Sequence, residues 1–442
     1  MHKETLKGVM QQFAERRLPE VKLRQMDIPA DSGKVVCLVG ARRTGKTFLL
    51  FQIMKDLLEQ GVAKEQIIYL NFEDDRLFPV EPDELDLILR AHDELFPETI
   101  GSKRYVFFDE IQNVPEWERY VRRIYDTEDA SIFLTGSSSS LLRRDMATAM
   151  RGRSIAYEVF PLTFAEYLAF QDIEYVPHSA TSEAEITHAF HEYLECGGFP
   201  EVVMADEALK PMILQEYASL MLHRDLIERH DIRNERSIRL LLKFCAQHTG
   251  SLISVNKLFN DIKSQGTKLG KATLYEYMDM LEDAYITFSC PKYDPSTRRQ
   301  MQAPRKIHML DPGLTRAYQA VPGKDLGHRF ESVIFMHERR RTKEICYYRN
   351  GFELDMCWGD GARFINAVWD MSDPDTAARE LKAFDSGHEM WPDAEGTLVY
   401  AIGDTIPQSH ANHMIEGWKY LLRQGDNNHR TRGKTWNAKE NH

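Results

Sequence analysis

The most constraining feature of this 442-residue chain is the octet at residues 40–47, which reads Gly-Ala-Arg-Arg-Thr-Gly-Lys-Thr. The octet stands between a β-rich run, Lys34–Val39, and a segment with helical spacing, Phe48–Glu59. Glycines in such a loop let the backbone turn tightly, so that successive N–H groups point at phosphate oxygens, and the following helix presents its positive end to the same anion. The pattern predicts a P-loop that holds the phosphates of a nucleotide, which we expect to be ATP.

The residues of the octet have separate expected roles. Lys46 is expected to reach the β and γ phosphates, and Thr47 is expected to ligate Mg²⁺ through its hydroxyl. Arg42 and Arg43 are expected to contact neighbouring acids or a partner, because only the backbone of this stretch is committed to phosphate. The predicted nucleotide-binding set is Gly40, Ala41, Arg42, Arg43, Thr44, Gly45, Lys46 and Thr47.

A second stretch, Tyr105–Glu110, is an apolar strand candidate that ends in two acids about 62 residues after the phosphate loop. A buried strand that delivers a carboxylate to its end can hold Mg²⁺, which is the Walker B role, and we assign it to Asp109. The acid that follows can polarise the attacking water, so Glu110 is the predicted general base.

Hydroxyl side chains end the fourth predicted strand, at Thr135 and Ser137. In a sheet of this type that strand lies between the P-loop strand and the Walker B strand, so either hydroxyl is a candidate to touch the γ-phosphate or the water. The alternative is that they cap a helix that starts at Leu141.

Two arginines, Arg151 and Arg153, come shortly before the fifth predicted strand. One of them, Arg153 in our assignment, is a candidate arginine finger that neutralises charge on the transferring phosphoryl group. A surface salt bridge is the alternative role for an arginine in this place.

Strands and helices alternate over the first 165 residues, which implies crossover connections and a mostly parallel sheet. Continuous apolar runs fit strands that are buried on both faces. The predicted strands are Lys34–Val39, Ile67–Phe72, Tyr105–Asp109, Ser131–Thr135 and Ile155–Val159. The fold class of this half is therefore α/β.

In combination these motifs resemble the bacterial and archaeal AAA-type ATP-binding proteins that carry a C-terminal domain of unknown function. The resemblance implies an ATPase core with strand order 5-1-4-3-2, a helical segment and a C-terminal module, and it implies no defined biological task. The matching stretches are residues 40–47, 67–74, 107–118, 134–139, 151–153, 161–167 and 197–201.

Composition narrows the setting of the chain. The formal net charge of −12 argues against a general coat of positive charge for nucleic acid, although a local basic patch stays open. Six cysteines without a Cys-x-x-Cys pair fit buried thiols in a reducing compartment. Since neither a signal core nor a membrane-length apolar run is apparent, we expect a cytoplasmic protein without a membrane partner.

The chain divides into six predicted regions, of which the first is a helical lead-in that stops near Pro29. After Pro161 the composition shifts to helices, and the tail is polar and expected to be disordered. The predicted regions are a lead-in at 1–30, an ATPase core at 31–165, a helical lid or linker at 166–236, a winged-helix-like domain at 237–320, a nuclease-like α+β domain at 321–425 and the tail at 426–442.

The winged-helix prediction rests on three helices followed by two β-rich runs, Tyr285–Ser289 and Lys306–Leu310. Contact with DNA and packing against protein are both open, because the charges of the third helix and its surroundings oppose each other. The third helix is predicted to begin at Thr273 and to expose four acids, Glu276, Asp279, Glu282 and Asp283. The nearby cations are Lys263, Lys268 and Lys271 before that helix and Lys292, Arg298 and Arg299 in the predicted wing.

Residues 328–370 resemble the restriction-endonuclease-like nuclease core, which holds Mg²⁺ with a helix Glu, a strand Asp and an acid-x-Lys on the next strand. Glu331 and Asp355 match the first two positions, whereas the third reads Asn366-Ala367-Val368. We therefore expect a nuclease-like fold without nuclease activity, with a displaced lysine such as Lys382 as the alternative. The nearby pair His410 and His413 is interpreted as scattered surface histidines.

The sequence thus predicts a Mg²⁺-dependent ATPase, or an ATP-driven switch, that couples nucleotide state to its C-terminal module. The alternatives are an ATP-gated nucleic-acid-binding protein or nuclease, and a purely structural interaction protein. The pairing of Lys46 with Asp109 and Glu110 counts against the structural alternative. The partner, DNA or protein, and the oligomeric state stay open.

Overall fold

A computed structural model describes residues 2–137, 150, 152–266, 269–318, 326–403 and 407–423. Several sequence predictions lie outside these residues: the helix expected from Leu141, the finger candidate Arg151, Lys268 and the polar tail. Within the described part, every helix is too short or too polar to cross a membrane.

The first domain is built on a five-stranded parallel sheet with the order β2-β3-β4-β1-β5. This confirms the predicted order 5-1-4-3-2, and the observed strand ends differ from the predicted ones by at most a residue or so. The strands are β1 (Val35–Val39), β2 (Ile67–Asn71), β3 (Arg104–Asp109), β4 (Ala130–Gly136) and β5 (Ser154–Glu158). The helices are α1 (Lys3–Glu15), α2 (Lys46–Glu59), α3 (Leu87–Leu95) and α4 (Trp117–Thr127).

Strand β1 is buried on both faces, as its uninterrupted apolar run predicts. Val36 and Leu38 share one core with Leu50 of α2, whereas Val35 and Cys37 face the core on the other side of the sheet. Because side chains alternate along a strand, one short apolar segment holds two layers together. This fixes the point at which the chain leaves β1 and enters the phosphate loop.

The N-terminal lead-in is helical only in α1, so the prediction of a helix that continues to Pro29 was wrong. The backbone turns extended at Arg16, three residues before Pro19, whose ring and missing N–H cannot continue a helix. The stretch from 16 to 30 instead runs along the sheet and brings Arg24 to the phosphate loop.

Helices fill the middle of the chain, followed by a small antiparallel sheet with the order β6-β8-β7. A short helix lies between β7 and β8, where we expected the wing that carries Arg298 and Arg299. The elements are α5 (Phe164–Phe170), α6 (Ala180–Cys196), α7 (Pro200–Met204), α8 (Lys210–Leu220), a π-helix (Met221–Glu228), α9 (Glu235–Gln247), β6 (Leu252–Ile253), α10 (Val255–Ser264), α11 (Lys271–Asp283), β7 (Thr287–Cys290), α12 (Thr297–Gln302), β8 (Arg305–Met309) and α13 (Pro312–Tyr318).

The last domain has a mixed sheet with the order β13-β12-β11-β10-β9. Strands β9, β10 and β11 pair antiparallel, whereas β11, β12 and β13 pair parallel. The elements are α14 (Leu326–Arg339), β9 (Cys346–Arg349), β10 (Glu353–Trp358), β11 (Arg363–Asp370), α15 (Pro374–Met390), β12 (Glu395–Ile402), β13 (Met414–Glu416) and α16 (Gly417–Leu422).

Candidate functional site

The phosphate loop joins β1 to α2 with two glycines that the backbone requires. A Cβ on Gly40 would stand 2.1 Å from the carbonyl oxygen of Val159, so no larger residue fits between the two strands. Gly45 has a φ of +92° at the start of α2, a left-handed conformation that side-chain-bearing residues rarely adopt. The loop therefore has the conformational demands that its sequence pattern predicts.

Lys46 lies in the first turn of α2 and is almost fully buried, with 5% of its surface exposed. Its Nζ donates to the carbonyl oxygens of Gly40 and Ala41, at 3.1 and 2.9 Å, and stands 3.8 Å from a carboxylate oxygen of Glu110. The ammonium group is thus folded over the loop whose N–H groups are expected to meet phosphate.

Asp109 ends β3 beside α2, and hydroxyl groups surround its carboxylate. The Oδ2 atom accepts from the hydroxyls of Thr47, at 2.8 Å, and Tyr69, at 3.1 Å, and Oδ1 accepts from Thr135. Burial raises the pKa of the Asp109 carboxyl, and these hydrogen bonds oppose that rise. The backbone N–H of Glu110 also donates to the Thr135 hydroxyl, at 2.8 Å, so β3 and β4 are tied at the same edge of the sheet.

These side chains fit a Mg²⁺ ion. Thr47 and Asp109 place a hydroxyl and a carboxylate 2.8 Å apart, and both are hard oxygen donors of the kind that Mg²⁺ takes alongside nucleotide phosphates. Glu110, the next residue, has a left-handed backbone conformation with a φ of 52°. Its carboxylate accepts a hydrogen bond from the side chain of Gln112. Thr47 and Asp109 would hold the ion, which would supply positive charge beside the phosphates of a bound nucleotide.

A cluster of charged side chains joins the phosphate loop and the end of β4 to the helical segment. Arg42 in the phosphate loop donates to Asp225 of the π-helix at 2.9 Å and to Glu73 at 2.9 Å. Arg229 lies 3.6 Å from Asp225 and donates to the Oγ of Ser137 at 2.9 Å. The sequence prediction that Arg42 contacts neighbouring acids therefore agrees with the structure, and Ser137 is bonded to an arginine that the sequence analysis did not single out.

The electrostatics of this cluster follow from its burial. Desolvation lowers the pKa of Arg42, but Asp225, Glu110 and Glu73 more than offset it and raise the pKa overall. Burial raises the pKa of Asp225 despite the two arginines, and it lowers the pKa of Arg229. Arg42 and Arg229 are both largely buried. A buried guanidinium attracts an incoming anion more strongly than an exposed one, because less water screens its charge.

Arg153, the finger candidate, lies at the opposite end of the strands from the phosphate loop, so it does not reach the loop of its own chain. Its carbonyl accepts from the N–H of Val35 at the beginning of β1, whereas the phosphate loop follows the end of that strand. The strand separates the two by roughly 15 Å at about 3.3 Å per residue. The Arg153 guanidinium pairs with Asp126 and lies over the ring of Tyr125, which matches the salt-bridge alternative.

Arg24 is a further residue of the site that sequence reasoning missed. Its guanidinium donates to the carbonyl oxygens of Thr44 and Phe160, at 2.8 and 2.9 Å, and to Glu166 at 2.8 Å. The pair lowers the pKa of Glu166, although burial alone would raise it. Arg43, the second loop arginine, lies 3.7 Å from Glu201. Neither Arg24 nor Arg229 belongs to a local motif, because each reaches the loop only through the tertiary fold.

In the last domain the structure brings Glu331 of α14 and Asp355 of β10 together, as the nuclease resemblance implies. The cation between them is Lys306 of β8, whose Nζ lies 2.9 Å from Glu331 and 2.7 Å from Asp355. Glu353 is the third carboxylate, at 3.0 Å. Lys382, the alternative displaced lysine, lines the same cleft as these acids, but the lysine that meets them comes from the preceding sheet.

The predicted third position of the nuclease pattern is off by one residue. Asn366 donates to Glu380 of α15, so it faces away from α14, and Val368 belongs to the same α15-side core. Ala367 lies on the other face, packed against the core that contains α14, and its N–H donates to Asp355 at 2.9 Å. Because a shift of one residue turns a strand to its other face, the acid-x-Lys position is occupied by apolar side chains rather than by Asn366.

His410 and His413 lie at the surface, as expected, since His410 is half-buried and His413 is exposed, but they are not scattered, because both pack on the ring of Phe384. His410 is bonded to Asp385 at 2.8 Å and packs on Phe384, as does His413, whose ring centroid lies 5.4 Å from that of His388. Burial first, and the neighbouring histidines second, lower the pKa of His388. The group is an aromatic cluster on the last domain.

Comparison with protein families assigns two parts of the chain. An AAA domain matches residues 32–168, and a domain of unknown function (DUF8612) matches residues 187–325. The second match covers the helical segment and the small sheet, whereas the sequence analysis placed the domain of unknown function at 321–425. The AAA match covers the sheet with the phosphate loop and both Walker acids.

Two relatives extend over most of the chain. An uncharacterised protein of Methanocaldococcus jannaschii is 33% identical over 415 residues, which is 90% of this chain and 90% of the relative. The chain belongs to the same family. An uncharacterised protein of Haemophilus influenzae, another relative within this AAA-domain family, is 30% identical over 328 residues, covering 73% of this chain and 78% of the relative.

Solved structures similar to this family member include the Walker-type ATPase of Pyrococcus abyssi, with a TM-score of 0.41 and 15% identity over 72% of this chain and 95% of that chain. Another is the Orc1 protein of Aeropyrum pernix in complex with DNA, with a TM-score of 0.32 and 13% identity over 72% of this chain and 92% of that chain.

Proposed function

We propose that this chain binds ATP with Mg²⁺ at its phosphate loop, hydrolyses it, and uses the nucleotide state to reposition its C-terminal half. The observation that carries the proposal is the 2.8 Å contact between the Thr47 hydroxyl and the Asp109 carboxylate, with Lys46 and Glu110 beside it. These four side chains supply the cation, the metal ligands and the base that phosphoryl transfer to water needs.

In this proposal each group acts at a stated place. Lys46 exchanges the loop carbonyls for phosphate oxygens, and Thr47 and Asp109 hold the metal ion. Glu110 accepts a proton from the attacking water, while Thr135 keeps the Walker B acid in position.

Arg229 takes the part that the sequence analysis gave to Arg153. It reaches the end of β4 through Ser137, where the γ-phosphate of a nucleotide on the loop would lie. Its pairing with Asp225 joins it to Arg42, so one cluster connects the phosphate loop to the helical segment. If Arg229 exchanged Ser137 for a phosphate, the position of the π-helix that precedes it would therefore change.

The end of β5 connects the sheet of the first domain to the last domain. Glu158 ends β5, next to the P-loop strand, and is 3.0 Å from Arg339 of α14 and 3.3 Å from Lys343. Tyr285, which precedes β7, donates to Glu158 at 3.0 Å. A change in the phosphate loop has a direct route to the C-terminal half through this strand, because Gly40 packs against Val159.

We also infer that the last domain has a nuclease-like fold, on the order helix, three antiparallel strands, helix and parallel strand. For the winged-helix-like region we favour protein contact over DNA. Helix α11 exposes Glu276 and Asp279, which repel phosphate, and it buries Leu274 and Leu281 inside the protein.

The proposal is tested by calorimetry of ATP binding with Mg²⁺. Lys46→Ala removes the side-chain cation aimed at the phosphates, so we expect it to lose most of the affinity. Lys55→Ala is the matched control, because this lysine lies about 13 Å further along α2 at 1.5 Å per residue. ATP binding that is equal in the two variants would refute the assignment of the nucleotide site.

A further inference from the structure

A nuclease-like domain holds divalent metal ions between carboxylates because a phosphodiester brings negative charge to an already acidic site. Such a metal ion does not fit the carboxylates of this chain. The place between Glu331, Glu353 and Asp355 is taken by the ammonium group of Lys306, at 2.9, 3.0 and 2.7 Å. A second cation at the same point would meet a fixed positive charge.

The ammonium group is fully engaged in this position. It carries three N–H donors, and three carboxylate oxygens from three different residues lie within 3.0 Å of it. Only 3% of the Lys306 side chain is exposed. Desolvation lowers the pKa of Lys306, but the three carboxylates more than offset it and raise the pKa well above its usual value, so the side chain stays charged.

The strand that carries Lys306 is itself fastened to the last domain. Two residues further along β8, His308 is bonded to Ser332 of α14 at 3.1 Å, and its ring stacks on Phe335 with centroids 3.9 Å apart. The hydroxyl of Thr249 also contacts α14, 2.9 Å from the hydroxyl of Ser332. Lys306 is therefore delivered by a packed sheet rather than by a free loop.

The cluster lies in the wall of a large cleft between the small sheet and the last domain, with a volume of about 1300 Å³. Six carboxylate and four lysine or arginine side chains line this cleft, so its charge attracts cations. Among the described residues no three acids are already spaced to hold a metal ion, so Glu331, Glu353 and Asp355 could offer their oxygens to Mg²⁺ or Mn²⁺ only once the Lys306 charge is removed.

We propose that Lys306 is a built-in cation that occupies the metal position of a nuclease-like cleft and keeps divalent ions out of it. The acids remain, and the chain fills their centre with its own side chain. This inference rests on the nuclease-like fold inferred above and is independent of ATP binding and hydrolysis.

The test is Mn²⁺ binding to the full chain without nucleotide, measured by the loss of the free-ion electron paramagnetic resonance signal. Lys306→Met keeps the length of the side chain and removes its charge, and we expect it to bind one more Mn²⁺ per chain than the wild-type protein. Lys382→Met, which changes another lysine of the cleft, is the matched control and should bind as the wild-type protein does. Asp355→Asn in the Lys306→Met background should abolish the additional site.

A second variant guards against misfolding. Lys306→Met combined with Glu331→Gln removes the ammonium group together with the acid beside it, whose pKa burial raises to about 8 although Lys306 opposes the rise, and leaves Asp355 and Glu353 as ligands, so it too should gain Mn²⁺. If this double variant folds and binds no more Mn²⁺ than the wild-type protein, the proposal is wrong. It is equally wrong if wild-type protein already binds Mn²⁺ in a way that Asp355→Asn removes.

Discussion

The phosphate loop and the C-terminal cleft each contain a buried lysine that faces carboxylates, but the two lysines are held differently. Lys46 donates to main-chain carbonyls and stands 3.8 Å from Glu110. Lys306 is held by three carboxylates at 3.0 Å or less. Lys46 can therefore exchange its neutral partners for phosphate. The charge of Lys306 is already neutralised by carboxylates.

The difference shows that residue types alone do not define a site. Lysine with aspartate and glutamate occurs in both places, and the partners of the ammonium group decide what each place can bind. Charge-assisted bonds to carboxylates are stronger than bonds to neutral carbonyls, so Lys306 is costly to displace and Lys46 is not.

The largest effect is expected at Glu110, the acid that faces Lys46, with Glu331, which faces Lys306, as its control. Glu110→Gln keeps the shape of the side chain and removes its basicity, so ATP hydrolysis should fall by about 10² to 10⁴-fold while ATP binding persists. Glu331→Gln makes the same change in the cleft and should leave hydrolysis unchanged. Phosphate release under saturating ATP measures both, and a Glu110→Gln protein at full speed would remove Glu110 as the general base.

The second effect concerns stability and compares the two lysines directly. Lys306→Met leaves three carboxylates around a missing cation, so the free energy of unfolding should drop by about 3–5 kcal/mol. Lys46→Met loses bonds from an ammonium group to neutral carbonyls and should cost about 1.5–3 kcal/mol. Urea unfolding of both variants gives the two values, and equal losses would mean that the two lysines are held alike.

The smallest effect separates the two candidate arginines of the ATP site. Arg229→Ala removes a charge-assisted bond worth about 1.5–3 kcal/mol, so turnover should fall roughly tenfold or more. Arg153→Ala, at the far end of the strands, should leave the turnover of a single chain unchanged. If hydrolysis by dilute protein depends on Arg153 and not on Arg229, the cluster around Asp225 does not serve the nucleotide.

Local pattern was sufficient for the elements of the first domain. The phosphate loop requires Gly40 and Gly45 for reasons that act within a few residues, and apolar runs such as β1 are buried on both faces, so the strand order followed from the resemblance. The same holds for the contact between Thr47 and Asp109, because both stand at the ends of elements that a parallel sheet brings to one edge.

Contacts between distant segments could not be predicted in this way. Arg24, Arg229 and Lys306 reach their partners across 20, 92 and 49 residues, with no periodicity to mark them. Their side chains find partners only after the extended lead-in, the π-helix and the small sheet have packed. The wrong alignment of Asn366 with the nuclease pattern has a different cause. A shift of one residue along β11 moves every side chain to the other face of the sheet.

Helix α14 has a consequence for how the chain tolerates change. It carries Glu331 to the cleft and, eight residues later, Arg339 to the end of β5, so the two contacts lie about 12 Å apart on one rigid rod. A single residue inserted between them would rotate Arg339 by about 100° around the helix axis relative to Glu331. An insertion here should therefore uncouple the AAA domain from the cleft, and it should cost more stability than the same insertion in a loop, because residues 329–338 are all buried.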